Sequence, residues 1–190
     1  MDADWSVELG ADDPALEFPW TSTDGTQGYI DLSNDSSGLG RIPEAKQYRP
    51  LWSFLLGLNG KTSPWLTVKC DAWMDNEVGE YTDPYPINWR MASYVDLIRR
   101  DESQRLSFEQ HERWVKKGVE RLRRFPNAPY SCEFIVRRCY YHTEEDAEDL
   151  TPGLYLTVYV FGYGDTKCHA ESSWKAGLDR AYHTLSSVML

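Results

Sequence analysis

The sequence predicts an α+β protein, a two-layer sandwich in which helices pack on one face of a mainly antiparallel sheet. Apolar and polar side chains alternate over residues 130–141 and 154–163, and residues 107–125 have the spacing of an amphipathic helix. Strands joined by short turns make the sheet mainly antiparallel. The predicted order is β-β-α-β-α-α-β-β-α, in one domain over residues 1–190 with the acidic segment 1–40 packed on the rest.

The N-terminal region predicts two strands. Residues 2–9 alternate weakly between apolar and polar side chains, which is the period of a strand. Asp24-Gly25 has the composition of a tight turn and would lead into a second strand near Tyr29–Leu32. The Ser-, Asp- and Gly-rich stretch 34–40 follows as a loop.

Two consecutive helices and a third strand are predicted next. Pro43–Leu58 has helical spacing, but Pro50 divides it, because a proline fits the first turn of a helix and breaks its interior. Residues 65–74 then alternate as a strand. Its two faces would carry Leu66, Val68, Cys70 and Ala72 on one side and Trp65, Lys69, Asp71 and Trp73 on the other.

Helices are also predicted over Tyr94–Arg100 and Ser107–Phe125. Ser107 can cap the longer one, with Gln110 at the capping-box position three residues on. The opposite face and the C-terminal end of this helix are basic, which the helix dipole favours. Its buried stripe would consist of Phe108, Val115, Val119 and Leu122, with Trp114 and Phe125 at its edges.

The last three elements are the two clearest strands and a C-terminal helix. Tyr130–Tyr141 and Leu154–Tyr163 alternate, and a helix begins at Asp165 or Thr166 and extends to residue 189. The inner stripe of this helix would be Ala170, Trp174, Leu178, Ala181, Leu185 and Val188.

Strand parity predicts an aromatic outer face on the sheet. If Leu154, Leu156, Val158 and Val160 face the helices, the tyrosines between them must face the other way. Rings beside Arg or Asp suit a planar or sugar-like ligand, or a protein partner. We therefore predict a contact surface made of Tyr155, Tyr159, Tyr163, Arg137, Tyr141 and Trp73.

A non-enzymatic binding module that uses this face is the first functional hypothesis. Two other arrangements would hide the face. The N-terminal segment, with Trp5, Phe18 and Trp20, could fold across it, or two copies of the chain could pair through it.

An acidic inhibitor or immunity-type protein is the second hypothesis. The first 40 residues contain nine acidic and no basic side chains, and the whole chain has a formal charge of -10. Such an asymmetry indicates a segment that meets positive charge. That charge could lie on the basic helix 113–124 of the same chain or on a cationic partner protein.

A small hydrolase or transferase is the third hypothesis, with its site near the long loop at residues 73–90. The polar candidates are Asp71, Asp75, Glu77 and His111. We assign no catalytic residue, because His111 lacks the second histidine of a zinc-protease helix.

Metal ligands and cofactor motifs are not predicted either. Cys132 and Cys139 fall on opposite faces of one strand, and the acidic loop Glu144–Asp149 lacks the ligand spacing of an EF-hand. No phosphate-binding glycine loop is present in the sequence, so we expect no cofactor.

Charge and hydropathy bear on the location of the protein. A net-negative chain is expected to bind neither nucleic acid nor an anionic membrane surface. No apolar run approaches the roughly 20 residues of a membrane span, and no signal peptide is predicted. The four scattered cysteines suit reduced thiols, so we predict a cytoplasmic protein.

Overall fold

The computed structural model describes residues 1–22, 24–76, 88–125, 128–142 and 150–187. Within these residues the chain forms strands and helices that follow one another in mixed order. They are β1 (Asp2–Glu8), β2 (Ala15–Phe18), a 3-10 helix (Ser36–Arg41), α1 (Pro43–Gln47), α2 (Arg49–Leu58), β3 (Trp65–Asp75), β4 (Trp89–Arg99), α3 (Glu102–Arg105), α4 (Phe108–Arg123), β5 (Tyr130–His142), β6 (Leu150–Gly164) and α5 (Lys167–Ser187).

The described strands make one sheet in the order β1-β5-β6-β4-β3. β3 with β4, β4 with β6, and β5 with β6 are antiparallel. β1 and β2 both run parallel to β5, one after the other along the same side of it. The predicted α+β class, with helices packed on a mostly antiparallel sheet, is confirmed.

The main core lies between the sheet and the helices. Leu156 and Val158 of β6 belong to one buried cluster with Trp114 of α4 and with Trp174 and Leu178 of α5. Each fully buried aliphatic side chain of this kind contributes about 1.5–3 kcal/mol. The buried Trp174 indole donates to the Ser93 hydroxyl at 2.9 Å, so its N–H is satisfied. The aliphatic side chains of β6 therefore face the helical layer, as predicted.

The capped helix begins where the sequence indicates. The Ser107 side chain accepts a hydrogen bond from the Gln110 backbone N–H at 3.3 Å, and Val115, Val119 and Leu122 are buried. Phe108 is exposed, however, so its place in the predicted stripe is wrong. Trp114 occupies the core instead.

The predicted helix over Tyr94–Arg100 is wrong, because these residues continue β4 up to Arg99. β4 lies between β6 and β3, so both of its edges are paired. Val95 and Leu97 are buried on the helix side, and Ile98 is buried on the other side. At this end of the strand, two apolar residues on opposite faces, Leu97 and Ile98, follow one another and interrupt the alternation that marks a strand.

The second strand is Ala15–Phe18, and the predicted strand near Tyr29–Leu32 is wrong. The turn at Asp24-Gly25 does form, with Gly25 at a φ of 70° and its N–H bonded to the Ser22 carbonyl at 2.9 Å. It closes only an isolated bridge between Thr21 and Gly28. Leu32 packs in the main core instead.

The predicted faces of β3 are wrong for its first residues, because the strand contains a register shift. The pairing with β4 is interrupted between Thr67 and Lys69. Trp65 consequently faces the helices in the main core, whereas the prediction placed it outside. Leu66 and Val68 face the opposite side, away from Cys70. An extra residue at a bulge has this effect, since the side-chain period is two.

No helix in the described ranges is both long and apolar enough to cross a bilayer.

A glycine sets the distance between β6 and α5. A Cβ built on Gly162 would lie 2.1 Å from the Trp174 backbone nitrogen and 2.4 Å from the Ala170 carbonyl oxygen. Backbone atoms cannot move aside as a flexible side chain can, so Gly162→Ala should lower the free energy of unfolding by about 3 kcal/mol. Urea unfolding measures this change.

Gly40→Ala is the matched control, because a Cβ at Gly40 would meet no heavy atom within 4 Å. We expect its stability to change by no more than about 0.5 kcal/mol. Equal stabilities of the two variants would contradict the close approach of α5 to β6.

Candidate functional site on the outer face of the sheet

The sheet face that points away from the helices, here called the outer face, is covered over part of its area. A second buried cluster on it contains Leu16, Val68, Ile98, Cys139, Tyr141 and Tyr155, with Phe18, Trp20, Tyr29 and Leu66 packed against it. The centroid of the Phe18 ring lies 4.7 Å from the centroid of the Tyr29 ring and 6.0 Å from that of the Tyr141 ring. The chain between residues 16 and 29 thus supplies the cover.

This cover removes two of the predicted contact residues from the surface. Tyr155 is 4% exposed and Tyr141 is 7% exposed. The Tyr141 hydroxyl also donates to the Leu154 carbonyl at 2.7 Å, so its polar atom has an internal partner. The placement of Tyr155 and Tyr141 on an accessible binding surface is therefore wrong.

The rest of the outer face carries aromatic side chains that are half-buried. We call this set the aromatic strip: Trp73, Tyr94, Tyr159, Phe161 and Tyr163. Tyr159 and Phe161 stack in parallel with ring centroids 5.9 Å apart, and Tyr94 lies 5.8 Å from Tyr159. Trp73 of β3 pairs with Ala92 of β4, which pairs with Phe161 of β6, so these three residues lie in one row across the sheet. Three predicted contact residues, Trp73, Tyr159 and Tyr163, belong to this strip.

An arginine lies at each end of the stacked pair. The Arg137 guanidinium is 5.9 Å from the Tyr159 ring centroid, and that of Arg90 is 5.7 Å from the Phe161 centroid. Glu8 accepts from Arg137 Nε at 2.7 Å, and Asp75 accepts from Arg90 Nη2 at 2.9 Å. Both guanidinium groups are already paired, so the strip does not present free positive charge through them.

A buried carboxyl group lies where the strip meets the covered area. Arg137 Nη1 donates to the Thr157 hydroxyl at 2.9 Å, and that hydroxyl donates to Asp96 Oδ1 at 2.7 Å. Asp96 is 5% exposed. Burial raises the pKa of Asp96 to about 6, although the Thr157 hydrogen bond and the charges of Arg137 and Lys69 oppose the rise. Buried carboxyl groups with raised pKa values are frequent at functional sites.

The charges around the strip are unbalanced toward negative. Within the described residues, Glu133 and Asp71 have no ion pair, unlike Glu8 and Asp75. Burial, followed by the charges of Asp4 and Glu8, raises the pKa of Glu133. Glu133 is in register with Tyr159, and Asp71 with Tyr94. Carboxyl groups thus border the strip on both sides.

The acidic N-terminal residues are largely satisfied within their own chain. Asp24 accepts hydrogen bonds from Ser22 and Thr26, which lower its pKa to about 2. Asp31 and Asp35 bond to neighbouring hydroxyl and backbone N–H groups in the same way. Asp4 reaches Arg123 of the basic helix at 3.3 Å. Several carboxylates of the acidic segment are therefore bonded within local turns, and a few form ion pairs to the sheet and α4.

The residues of the hydrolase hypothesis are not brought together. His111 lies on α4 in the helical layer, where its Nδ1 donates to the Ser107 carbonyl at 2.9 Å and burial lowers its pKa. Asp71 and Asp75 lie on the outer face of β3, across the sheet. Glu77 and most of the 73–90 loop lie outside the described residues, as does the loop Glu144–Asp149.

No group of three or more metal-binding side chains occurs in the described part of the chain. Of the cysteines, Cys132 and Cys139 are buried, and burial raises the pKa of Cys139 to about 12. A thiol with a raised pKa is a poor nucleophile and a poor metal ligand at neutral pH.

Sequence reasoning missed Tyr94 and Asp96, because it placed them on a helix. The signal that could have found them is the alternation Tyr94, Asp96 against Val95, Leu97, which has the period of a strand.

The fold and the site together define an α+β protein with an aromatic, carboxylate-bordered sheet face. No protein family, curated protein or solved structure was found to match the chain.

Asp96 should make stability depend on pH. Its folded-state pKa is above its ordinary value of 3.8. The contribution of Asp96 to the free energy of unfolding is therefore full below about pH 4 and is lost as pH rises through about 6. Asp96→Asn cannot ionise, so its free energy of unfolding relative to wild type should increase by roughly 2 kcal/mol from pH 4 to pH 7. Urea unfolding at several pH values measures the difference.

Asp179→Asn controls for the loss of one carboxylate, because Asp179 is exposed on α5. A difference between Asp96→Asn and wild type that stays constant from pH 4 to pH 7 would contradict a raised pKa at Asp96.

Proposed function

We propose that this protein is a non-enzymatic binding protein that holds a basic segment of a partner protein on the aromatic strip. The observation that carries the proposal is the combination of half-buried rings with bordering carboxyl groups that the described chain does not pair, Glu133 and Asp71. This proposal joins the sheet-face hypothesis to that of a basic partner.

The chemistry of the strip suits lysine and arginine side chains. A cation over an exposed tyrosine or phenylalanine ring contributes about 0.5–1 kcal/mol, and an exposed ion pair contributes about 0–1 kcal/mol. The strip already holds Arg137 and Arg90 beside its rings in this way, so it accepts guanidinium groups at that distance. Several such contacts are needed for useful affinity, which favours an extended segment with more than one basic residue.

The overall charge supports the same class of partner. A chain with a formal charge of -10 attracts cationic proteins and speeds their encounter, and it repels nucleic acid and anionic lipid. It also disfavours pairing of two copies through this face. A two-fold contact would place Glu133 and Asp71 opposite the same carboxyl groups of the other copy.

The proposal predicts that labelled Arg-Gly and Lys-Gly repeat peptides of twelve residues bind the protein, whereas Glu-Gly and Ser-Gly peptides of equal length do not. Fluorescence anisotropy at low and high salt measures the affinities. Glu133→Gln should weaken binding of the basic peptides about fivefold through loss of one ion pair, and Tyr159→Ala about threefold through loss of one ring.

Controls with the same change away from the strip are available on α4. Glu120→Gln removes one exposed carboxylate and Phe108→Ala one exposed ring, and neither should change the affinity. If Glu120→Gln weakened binding as much as Glu133→Gln does, the attraction would belong to the whole charge and the proposed site would be wrong. Absence of binding by the basic peptides would be equally decisive.

A further inference from the structure

A cavity of about 390 Å³ lies beside β3, the strand at one end of the sheet, and none of the residues of the aromatic strip line it. It is lined by residues 26–28 and 30 of the turn region, by residues 41–44, and by residues 67–70 of β3. Small-molecule sites in proteins commonly have volumes of about 300–1,000 Å³. The space is therefore large enough for an organic ligand.

The cavity has an apolar floor and a fixed aromatic wall. Ile30, Leu32, Leu55 and Val68 line it, and Leu32 and Leu55 are part of the main core. The Trp20 indole N–H donates to the Val68 carbonyl at 2.8 Å, which joins the ring to the edge of β3. A wall held by a hydrogen bond and a core-backed floor make the site largely pre-formed.

The cavity differs in charge from the rest of this acidic protein. Its charged lining residues are Arg41, Lys69 and Glu44, which leaves an excess of one positive charge. Among the described residues, neither Arg41 nor Lys69 forms an ion pair. The Lys69 ammonium lies 5.6 Å from the Trp20 ring centroid, so the indole holds it at the cavity.

We infer that this cavity binds an organic anion with an apolar body, such as an aromatic carboxylate. The body lies on the aliphatic floor beside Trp20, and the carboxylate is paired by Lys69 and Arg41. Arginine and lysine both bind carboxylates through charge-assisted hydrogen bonds. Glu44 disfavours a second negative charge on the ligand, so a monoanion fits best.

The test uses 2-naphthoate and 2-naphthamide, which have the same shape but differ in charge, with binding to the full chain measured by isothermal titration calorimetry. We expect naphthoate to bind at least about fivefold more tightly than the amide. Arg41→Gln and Lys69→Gln should each weaken naphthoate binding about threefold and leave amide binding unchanged.

Lys61→Gln is the matched control, since Lys61 is exposed and does not line the cavity. Circular dichroism and thermal unfolding establish that each variant is folded. Equal affinity for naphthoate and naphthamide would overturn the inference, as would failure of millimolar naphthoate to bind. A loss with Lys61→Gln as large as that with Lys69→Gln would do the same.

Discussion

The period-two alternation of side chains in β5 and β6 is the constraint on which the rest of the molecule depends. In the observed register, Leu156 and Val158 meet Trp174 in the helical layer, so Tyr155 and Tyr159 are directed to the opposite face. A slip of one residue would exchange the two sets and bring tyrosine hydroxyls under the helices. The packing of α5, with its backbone close to Gly162, holds this register. The aromatic outer face is thus a direct consequence of how the main core is filled.

The parts of the fold that the sequence predicts are those in which one face is apolar and the other polar. β5, β6 and α4 have this pattern, and each is found where its period places it. β4 does not, because its C-terminal end is buried on both faces, and Ile98 directly after Leu97 interrupts the alternation. β3 fails differently: one extra residue near Val68 reverses the parity, and no local pattern marks that residue as a bulge.

For the candidate site, the sequence predicts which face of the sheet a residue lies on, but it does not predict whether that residue is covered. Parity alone places Tyr159 and Tyr163 outside, and the bulge in β3 leaves Trp73 outside as well. Parity cannot tell which outer residues other parts of the chain cover. Tyr155 is buried because Phe18 and Trp20, more than 130 residues earlier in the sequence, pack over its part of the sheet. Contacts of such long sequence separation leave no periodic signal.

The N-terminal segment explains why one chain has two distinct candidate sites. Its carboxylates mostly stabilise its own turns, as Asp24, Asp31 and Asp35 do, so the segment folds compactly over the sheet without needing a basic surface there. Its aromatic residues Phe18, Trp20 and Tyr29 cover one part of the outer face, and Tyr159 lies outside the cluster that they cover. Where the segment passes the edge of β3, it leaves the cavity beside Trp20 and Lys69. The strip and the cavity therefore both follow from the way the N-terminal segment packs on the sheet. The strip is bordered by carboxylates and suits cations, whereas the cavity is cationic and suits an anion.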